Sequence, residues 1–365
     1  MSVLIVSTPV GPIGSGVGGG VELTLRTIAD GLVELGHHVE VIAPYGSTHV
    51  GRVLHHVAGR LEPSIQFIER STPESQSTGD AVLVHMWNFA RDRAARFDVV
   101  VNLAYDALPF RVGVSFPAPV VHLVSMASLT DAMDEVINGA LESRASSIAM
   151  HSRAQAATFR DGSSATIVGS GIDVAAYDFR ATAHTDGRLA FVGRLAAEKG
   201  LRDAVEVAAI TGRPLHVWGY MQDPTLWHNV CAEFPDADVH YRGFVSTAEL
   251  QSALGLCAGL LVTSKWVEAF GNVAIEALAC GVPVLAYNRG GPAEIVVDGE
   301  SGLLVEPDDV RALAEAVDRL ETIDRAACRA RISAQYSTTA FARRVEEWLA
   351  GSARGADFGG MPLSF

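Results

Sequence analysis

Lysine is almost missing from this chain. Only Lys199 and Lys265 occur in 365 residues, and every other fixed positive charge is arginine. Positive charge as a whole is scarce, with 28 lysines and arginines against 42 aspartates and glutamates and a formal net charge of −14. That balance argues against a non-specific nucleic-acid binder or a protein held on an anionic membrane, since both need a basic surface. Long apolar runs are missing too. None approaches the ~18 residues of a membrane span, so no transmembrane helix is expected. No basic region precedes the first apolar run at residues 3–6, which speaks against a signal peptide and for a cytoplasmic protein. Cysteine is confined to Cys231, Cys257, Cys280 and Cys328, widely spaced and in apolar or helical settings. Without a CxxC pair or a Cys/His pattern, reduced buried thiols are expected, and no metal site. No convincing loop carries a DxD motif.

What is present is a chain long for one domain and comfortable for two, with 48% hydrophobic residues. Residues 3–6 read as a buried parallel strand. A glycine-rich turn follows, then a helix at 21–35 whose Val21, Leu25, Ile28, Leu32 and Leu35 keep the 3.6-residue period, stopped by Gly36. Residues 39–42 form a second strand. Gly14, Gly16 and Gly19 satisfy GxGxxG, and Glu40 stands near the place of a ribose-binding acid. The fit to a dinucleotide fold is poor, because seven residues separate Val6 from Gly14 and Glu40 sits inside its strand. A long glycine loop that lets a diphosphate or a sugar approach the backbone is the better reading, with a merely flexible surface loop as the plain alternative.

Residues 46–80 look irregular, an acceptor-side or mobile loop whose His49, His55 and His56 are ordinary surface residues. Beyond it a helix is expected at 81–95, strands at 99–103 and 120–124, a helix at 131–144, a strand at 147–150 and a helix at 152–160. His122 interrupts the apolar strand 120–124, at the sheet edge where α/β proteins bind ligands; a satisfied core histidine is the competing explanation. The aperiodic stretch 169–187 reads as a linker. A second strand–helix series then begins, with strands at 189–192, 215–218, 239–241, 260–262, 284–286 and 303–305. Helices are expected at about 200–211, 224–234, 246–256, 271–280, 292–297, 308–321, 324–335 and 338–350. The alternation gives an α/β protein of two doubly wound, Rossmann-like domains with parallel sheets.

Two loops of the second half carry the chemistry. Gly193-Arg-Leu-Ala-Ala-Glu-Lys-Gly200 puts Arg194 and Lys199 between a strand and a helix N-terminus. Arginine can fork onto two phosphate oxygens and lysine adds a compact charge, a pair suited to a diphosphate leaving group. The stretch 264–294 carries Lys265, Glu268, Ala269, Phe270, Gly271, Asn272 and Glu276, with the two glutamates flanking the start of the helix at 271–280. A helix N-terminus favours an anion. Eight positions on one helix would span ~12 Å. That is too far for a glycosidase carboxylate pair at roughly 5–9.5 Å, but it suits a ribose diol at one end of a ligand and sugar hydroxyls at the other. Both lysines fall in these loops, and both are candidates for ligand binding.

These motifs together, with Gly169-Ser-Gly-Ile-Asp173, resemble the retaining glycosyltransferase family 4, of GT-B fold, over nearly the whole chain. The resemblance implies two Rossmann-like domains facing across a cleft: an acceptor-binding domain at 1–168, a nucleotide-sugar-binding domain at 174–340, a helix at about 341–350 crossing back onto the first domain, and a tail at 351–365. It implies that Gly193, Arg194 and Lys199 bind the donor diphosphate and that Glu276 holds the ribose. Glu268 and the backbone of Ala269, Phe270, Gly271 and Asn272 would bind the donor sugar, with Gly243 and Phe244 also on the donor. His122 corresponds to the family's histidine near the transferred sugar, and Gly18, Gly19 and Gly20 to its phosphate-facing loop. His122, Arg194, Lys199 and Glu268 would then be the catalytic set.

Within the family, the segment 6–24 looks most like bacterial UDP-glucose:tetrahydrobiopterin (pteridine) glucosyltransferases. The expected activity is metal-independent, retaining transfer of a hexosyl unit, such as glucosyl, from a UDP-sugar to a small hydroxyl acceptor. No cofactor is expected beyond the donor substrate, and no nucleic-acid partner. A homodimer is among the possible oligomeric states. Other acceptors (glycolipid, polysaccharide, secondary metabolite), a nucleotide-sugar epimerase, a phosphorylase, an NAD-dependent oxidoreductase and a two-lobed sugar-binding protein are the rivals.

Overall fold

The computed structural model describes residues 1–62 and 79–356. Part of the irregular loop expected at 46–80, and the tail past residue 356, lie outside the described residues. The chain divides into two units, Met1–Gly171 with Thr338–Phe365, and Ile172–Ser337.

The first unit is built on seven parallel strands: β1 (Ser2–Val6), β2 (His38–Pro44), β3 (Val53–Val57), β4 (Val99–Asn102), β5 (Val120–Val124), β6 (Ile148–Met150) and β7 (Thr166–Ile167). Their order in the sheet is β3-β2-β1-β4-β5-β6-β7. The second unit repeats the plan with β8 (Leu189–Val192), β9 (Leu215–Trp218), β10 (Val239–Tyr241), β11 (Gly259–Val262), β12 (Val284–Tyr287) and β13 (Gly302–Val305). Its order is β10-β9-β8-β11-β12-β13, again all parallel. Each sheet therefore reverses its winding once, between β1 and β4 and between β8 and β11. Such a switch point leaves a crevice at the strand C-termini.

The apolar strands follow from helices covering both faces of each sheet. In the first unit Val3, Ile5, Val39, Val41, Val99 and Val101 share one buried cluster with Leu25, Ile28 and Leu32 of the helix Gly20–Glu34. Leu4, Val6 and Val100 face the other way, onto Leu83, Met86 and Trp87 of the helix Val82–Arg91. The closing helix, Thr338–Ala356, adds Phe341, Val345, Trp348 and Leu349 to the first cluster. Each is worth ~1.5–3 kcal/mol of apolar burial. Gly31 permits this approach, since a Cβ there would lie 2.7 Å from the Ala342 Cβ.

Several elements depart from expectation. Residues 53–57 are a strand and not irregular chain. His55 and His56 interrupt the apolar pattern there, and pairing with β2 (Glu40↔Val53 through Pro44↔Val57) supplies the order that propensity does not. The helix Ala107–Gly113 was hidden by Pro109, which reads as a breaker, but the Asp106 side chain caps this helix by accepting from the Leu108 N–H at 2.8 Å. The helix expected at 152–160 is confined to Arg153–Ala156.

The stretch 172–187 is no free linker. Tyr177 is buried, Arg180 N–H donates to the Cys280 carbonyl at 3.0 Å, and Arg329 clamps the carbonyls of Val174 and Tyr177 at 2.8 and 2.6 Å. The last helix also outruns its expected end, because Gly351 lies inside it. Ser352 is fully buried and donates to the Ser146 carbonyl at 2.5 Å, so the chain stays helical through Ala356.

Candidate active site

In the second unit the two loops read as chemical leave β8 and β11, the neighbours at the switch point. The β8 loop turns at Gly193, whose N–H donates to the Trp218 carbonyl at 3.0 Å. Gly219 packs against it so closely that a Cβ would lie 1.7 Å from the Gly193 carbonyl oxygen. Arg194 is held by Gln222 and by Glu198, the latter at 2.7 Å. The loop then forms a short 3₁₀ turn, Ala197–Lys199, and passes through Gly200 in the left-handed region (φ 71°) into the helix Leu201–Thr211. A side chain at Gly200 would meet the Thr263 carbonyl at 1.9 Å, so glycine is what lets the two loops touch.

That contact brings Lys199 to Glu268. The ammonium donates to Oε1 at 2.6 Å and lies 5.2 Å from the Trp266 ring centroid. Ser264 Oγ donates to the same carboxylate oxygen at 2.7 Å. Burial works to raise the Glu268 pKa, but the Lys199 charge and these hydrogen bonds outweigh it and hold the group below its ordinary value. Glu268 therefore stays ionised, half of a charge pair that a ligand can share. Its loop rests on two glycines. A Cβ at Gly290 (φ 68°) would lie 2.7 Å from Glu268 N, one at Gly291 would lie 2.4 Å from the Phe270 Cα, and Gly291 N–H donates to the Glu268 carbonyl at 2.8 Å.

Gly271 (φ 93°) opens the helix Asn272–Ala279 without a side-chain cap. On that helix Glu276 accepts from the Tyr177 hydroxyl at 3.0 Å. Burial raises the Glu276 pKa to about 7, against the opposing pull of that hydrogen bond. One carboxylate is thus ionised and paired, while the other sits at its titration midpoint near neutral pH. Phe244 is 62% exposed beside Gly243, whose carbonyl accepts from Gly219 N–H at 3.0 Å.

Lys265 takes a different place from the one expected. Its ammonium bonds the buried Asp203 and, at 2.9 Å, Asp308, while Asp308 also binds Arg289 at 2.6 Å. Lys265 thereby ties its loop to the helix Leu201–Thr211 and is committed to structure. Side-chain order in the loop explains this: Lys265 and Glu268 leave the backbone in different directions, which spacing alone does not reveal.

The first unit places the glycine turn after β1 and His122 on β5. Three turn N–H groups, of Gly14, Gly16 and Gly18, converge on the Glu22 carboxylate at 2.7, 3.2 and 2.6 Å. Gly19 has a positive φ of 58° and open space where a Cβ would stand, and Gly20 begins the helix. Glu40, the acid a dinucleotide would need, is buried and bound to His55 and His38 at 2.6 and 3.0 Å. His122 is buried, stacked on Phe110 with centroids 3.8 Å apart and planes 6° apart. Burial lowers its pKa to about 3, so the ring is neutral. Among the described residues no group of three or more His, Cys, Asp or Glu could hold a metal ion, and no helix is long and apolar enough to cross a membrane.

Sequence reasoning missed Tyr177, Ser264, Gly290 and Gly291. The Gly-Gly pair was a readable signal of close backbone approach. Tyr177 carried none, because its neighbours are aperiodic.

Residues 178–338 match the protein family described as Glycosyl transferases group 1. The glycogen synthase of Mycobacterium tuberculosis (strain CDC 1551 / Oshkosh) is 34% identical over 193 residues, covering 48% of this chain and 44% of that protein. The chain therefore spans less than half the length of this relative. Among solved structures, AviGT4, a glycosyltransferase involved in avilamycin A biosynthesis, superposes with a TM-score of 0.73 at 22% identity, covering 97% of this chain and 98% of that one. Anabaena Alr3699/HepE in complex with UDP gives 0.72 at 17% identity, covering 96% and 100%. The likeness to these structures is one of fold: two parallel-sheet, Rossmann-like domains as in GT-B glycosyltransferases. Nearly the whole second unit is thus similar in sequence to the glycosyl transferases group 1 family, and the chain has the fold of GT-B glycosyltransferases.

Proposed function

We propose that the chain is a glycosyltransferase that moves a hexosyl unit, preferably glucosyl, from a UDP-sugar to a small hydroxyl acceptor, with retention at the anomeric carbon and without a metal. The observation that carries this reading is the Lys199–Glu268 pair at the switch point of the second unit, 2.6 Å apart. Arg194 belongs to the same loop as Lys199, held by Glu198, and Glu276 to the helix that follows the Glu268 loop. A diphosphate gains charge as its bond to the sugar breaks, and Lys199 and Arg194 are the groups that can meet that charge. Ionised Glu268 accepts hydrogen bonds from sugar hydroxyls, and Glu276 from the ribose diol. Catalysis would then be leaving-group stabilisation and positioning, with the departing phosphate taking the acceptor's proton.

On this reading the second unit holds the donor. By the resemblance, the loop Gly18–Gly20 of the first unit faces the donor phosphate, His122 the transferred sugar, and the first unit binds the acceptor. A tetrahydrobiopterin-type pteridine is the acceptor we favour, on the resemblance of residues 6–24, and the cytoplasm is the location we favour.

The test is a transfer assay with UDP-glucose, other nucleotide sugars and candidate acceptors including tetrahydrobiopterin. Products would be read by mass spectrometry and anomeric proton coupling, with and without EDTA. An α-linked product formed equally in EDTA is expected. An inverted product, a strict metal requirement, or sugar epimerisation without acceptor would each overturn the corresponding part.

A further inference from the structure

His122 and Asn102 are partners in register on adjacent parallel strands, β5 and β4, so their side chains leave the same face of the sheet. Asn102 is buried, with 1% of its surface exposed. Its amide closes a small ring with the backbone two residues on: Ala104 N–H donates to Asn102 Oδ1 at 3.0 Å, and Asn102 Nδ2 donates to the Ala104 carbonyl at 2.9 Å. A backbone N–H can only donate and a backbone carbonyl can only accept. Both ends of the asparagine amide are therefore assigned by chemistry. The remaining hydrogen on Nδ2 lies toward His122 Nδ1, 3.2 Å away. Nδ1 must then be the lone-pair nitrogen, and the ring proton belongs on Nε2. Protonating Nδ1 would set one N–H against another. Phe110, stacked on the ring face, fixes the plane in which Nε2–H lies. Among the described residues Nε2 meets no partner.

Resting on the glycosyl-transfer reading, we propose that Asn102 is the positioning residue that locks His122 in the neutral Nε2–H tautomer, so that His122 meets its ligand as a hydrogen-bond donor and never as a general base. A neutral donor suits an oxygen of the transferred sugar, hydroxyl or developing ring charge aside, because it adds no fixed charge beside a carbon that becomes cationic in the transition state. Burial alone lowers the His122 pKa, and no charged group contributes. The tautomer is therefore held across the physiological range.

The experiment is long-range ¹H–¹⁵N NMR of the full chain labelled at histidine nitrogens, from pH 5.5 to 8. The His122 signals would be identified by their loss in His122→Gln. The expected wild-type result is an Nε2–H tautomer that does not titrate. In Asn102→Asp a carboxylate replaces the donor, so Nδ1 should become the protonated nitrogen and His122 should begin to titrate. Asn102→Ala should give a tautomer mixture. With thermal melts confirming a folded protein, kcat for transfer should fall about tenfold in Asn102→Asp, the worth of one lost hydrogen bond, while donor KM changes little. A wild-type Nδ1–H tautomer, titration of wild-type His122 above pH 5.5, or an unchanged tautomer in a folded Asn102→Asp would overturn the proposal. The tautomer is read without acceptor or turnover, so a failed transfer assay would count against the function and leave this result standing.

Discussion

The two units share one strand order, yet their switch points are furnished in opposite ways. In the second, β8 and β11 deliver charges: Lys199 against Glu268 at 2.6 Å, with Arg194 held by Glu198 at 2.7 Å. In the first, β1 and β4 deliver neutral or self-satisfied groups. The glycine turn spends three N–H groups on Glu22, and the Asn102–His122 pair carries no charge. A common topology thus fixes where a ligand can approach but not what chemistry meets it. The charged crevice suits the end of a donor where negative charge collects. The neutral one suits sugar and acceptor oxygens, where a fixed charge would cost more than it returned.

The largest expected effect breaks the charged half. Lys199→Ala or Arg194→Ala should lower transfer by ~10²-fold or more, read as kcat under saturating donor. Lys199→Ala also leaves the largely buried Glu268 without its counter-charge, though still bound by Ser264, so a stability loss of ~1–3 kcal/mol is expected in denaturant titration. Retention of near-wild-type turnover in either variant would remove these residues from the mechanism.

A second, smaller effect tests the other carboxylate. Burial raises the Glu276 pKa to about 7 from the ordinary 4.5 of a glutamate. Its folded form therefore keeps a proton that the unfolded chain has already lost. The group favours the folded state below about pH 4.5, and that contribution is lost as pH rises toward 7. Donor binding should run the other way, because only the carboxylate accepts both ribose hydroxyls. Affinity for UDP-glucose, whose phosphates do not titrate in this range, should rise about tenfold from pH 6 to 8. Glu276→Gln should flatten that profile. An equally steep profile in the variant would move the titration elsewhere.

Much of this contrast was legible in the sequence. The apolar strand runs and the glycines after them gave both doubly wound domains, and Arg194, Lys199, Glu268 and Glu276 could be singled out by their place in strand-to-helix loops. What could not be read was direction. Lys265 stands three residues from Glu268 and yet pairs with Asp203 and Asp308. Tyr177, in a stretch without period, reaches a residue far along the chain to bind Glu276. Strand β3 was obscured by two histidines whose order comes from pairing with β2. Such contacts are tertiary, and local propensity carries no record of them.

The central claim is that the side chains that meet the donor's negative charge, Lys199 and Arg194, belong to the second unit. Isothermal titration with UDP tests it most directly, comparing wild type with Lys199→Ala and His122→Gln. The account predicts that UDP binds the wild type, that Lys199→Ala weakens binding by ~10-fold or more, and that His122→Gln leaves it nearly unchanged. Equal binding by wild type and Lys199→Ala, or a loss confined to His122→Gln, would contradict it.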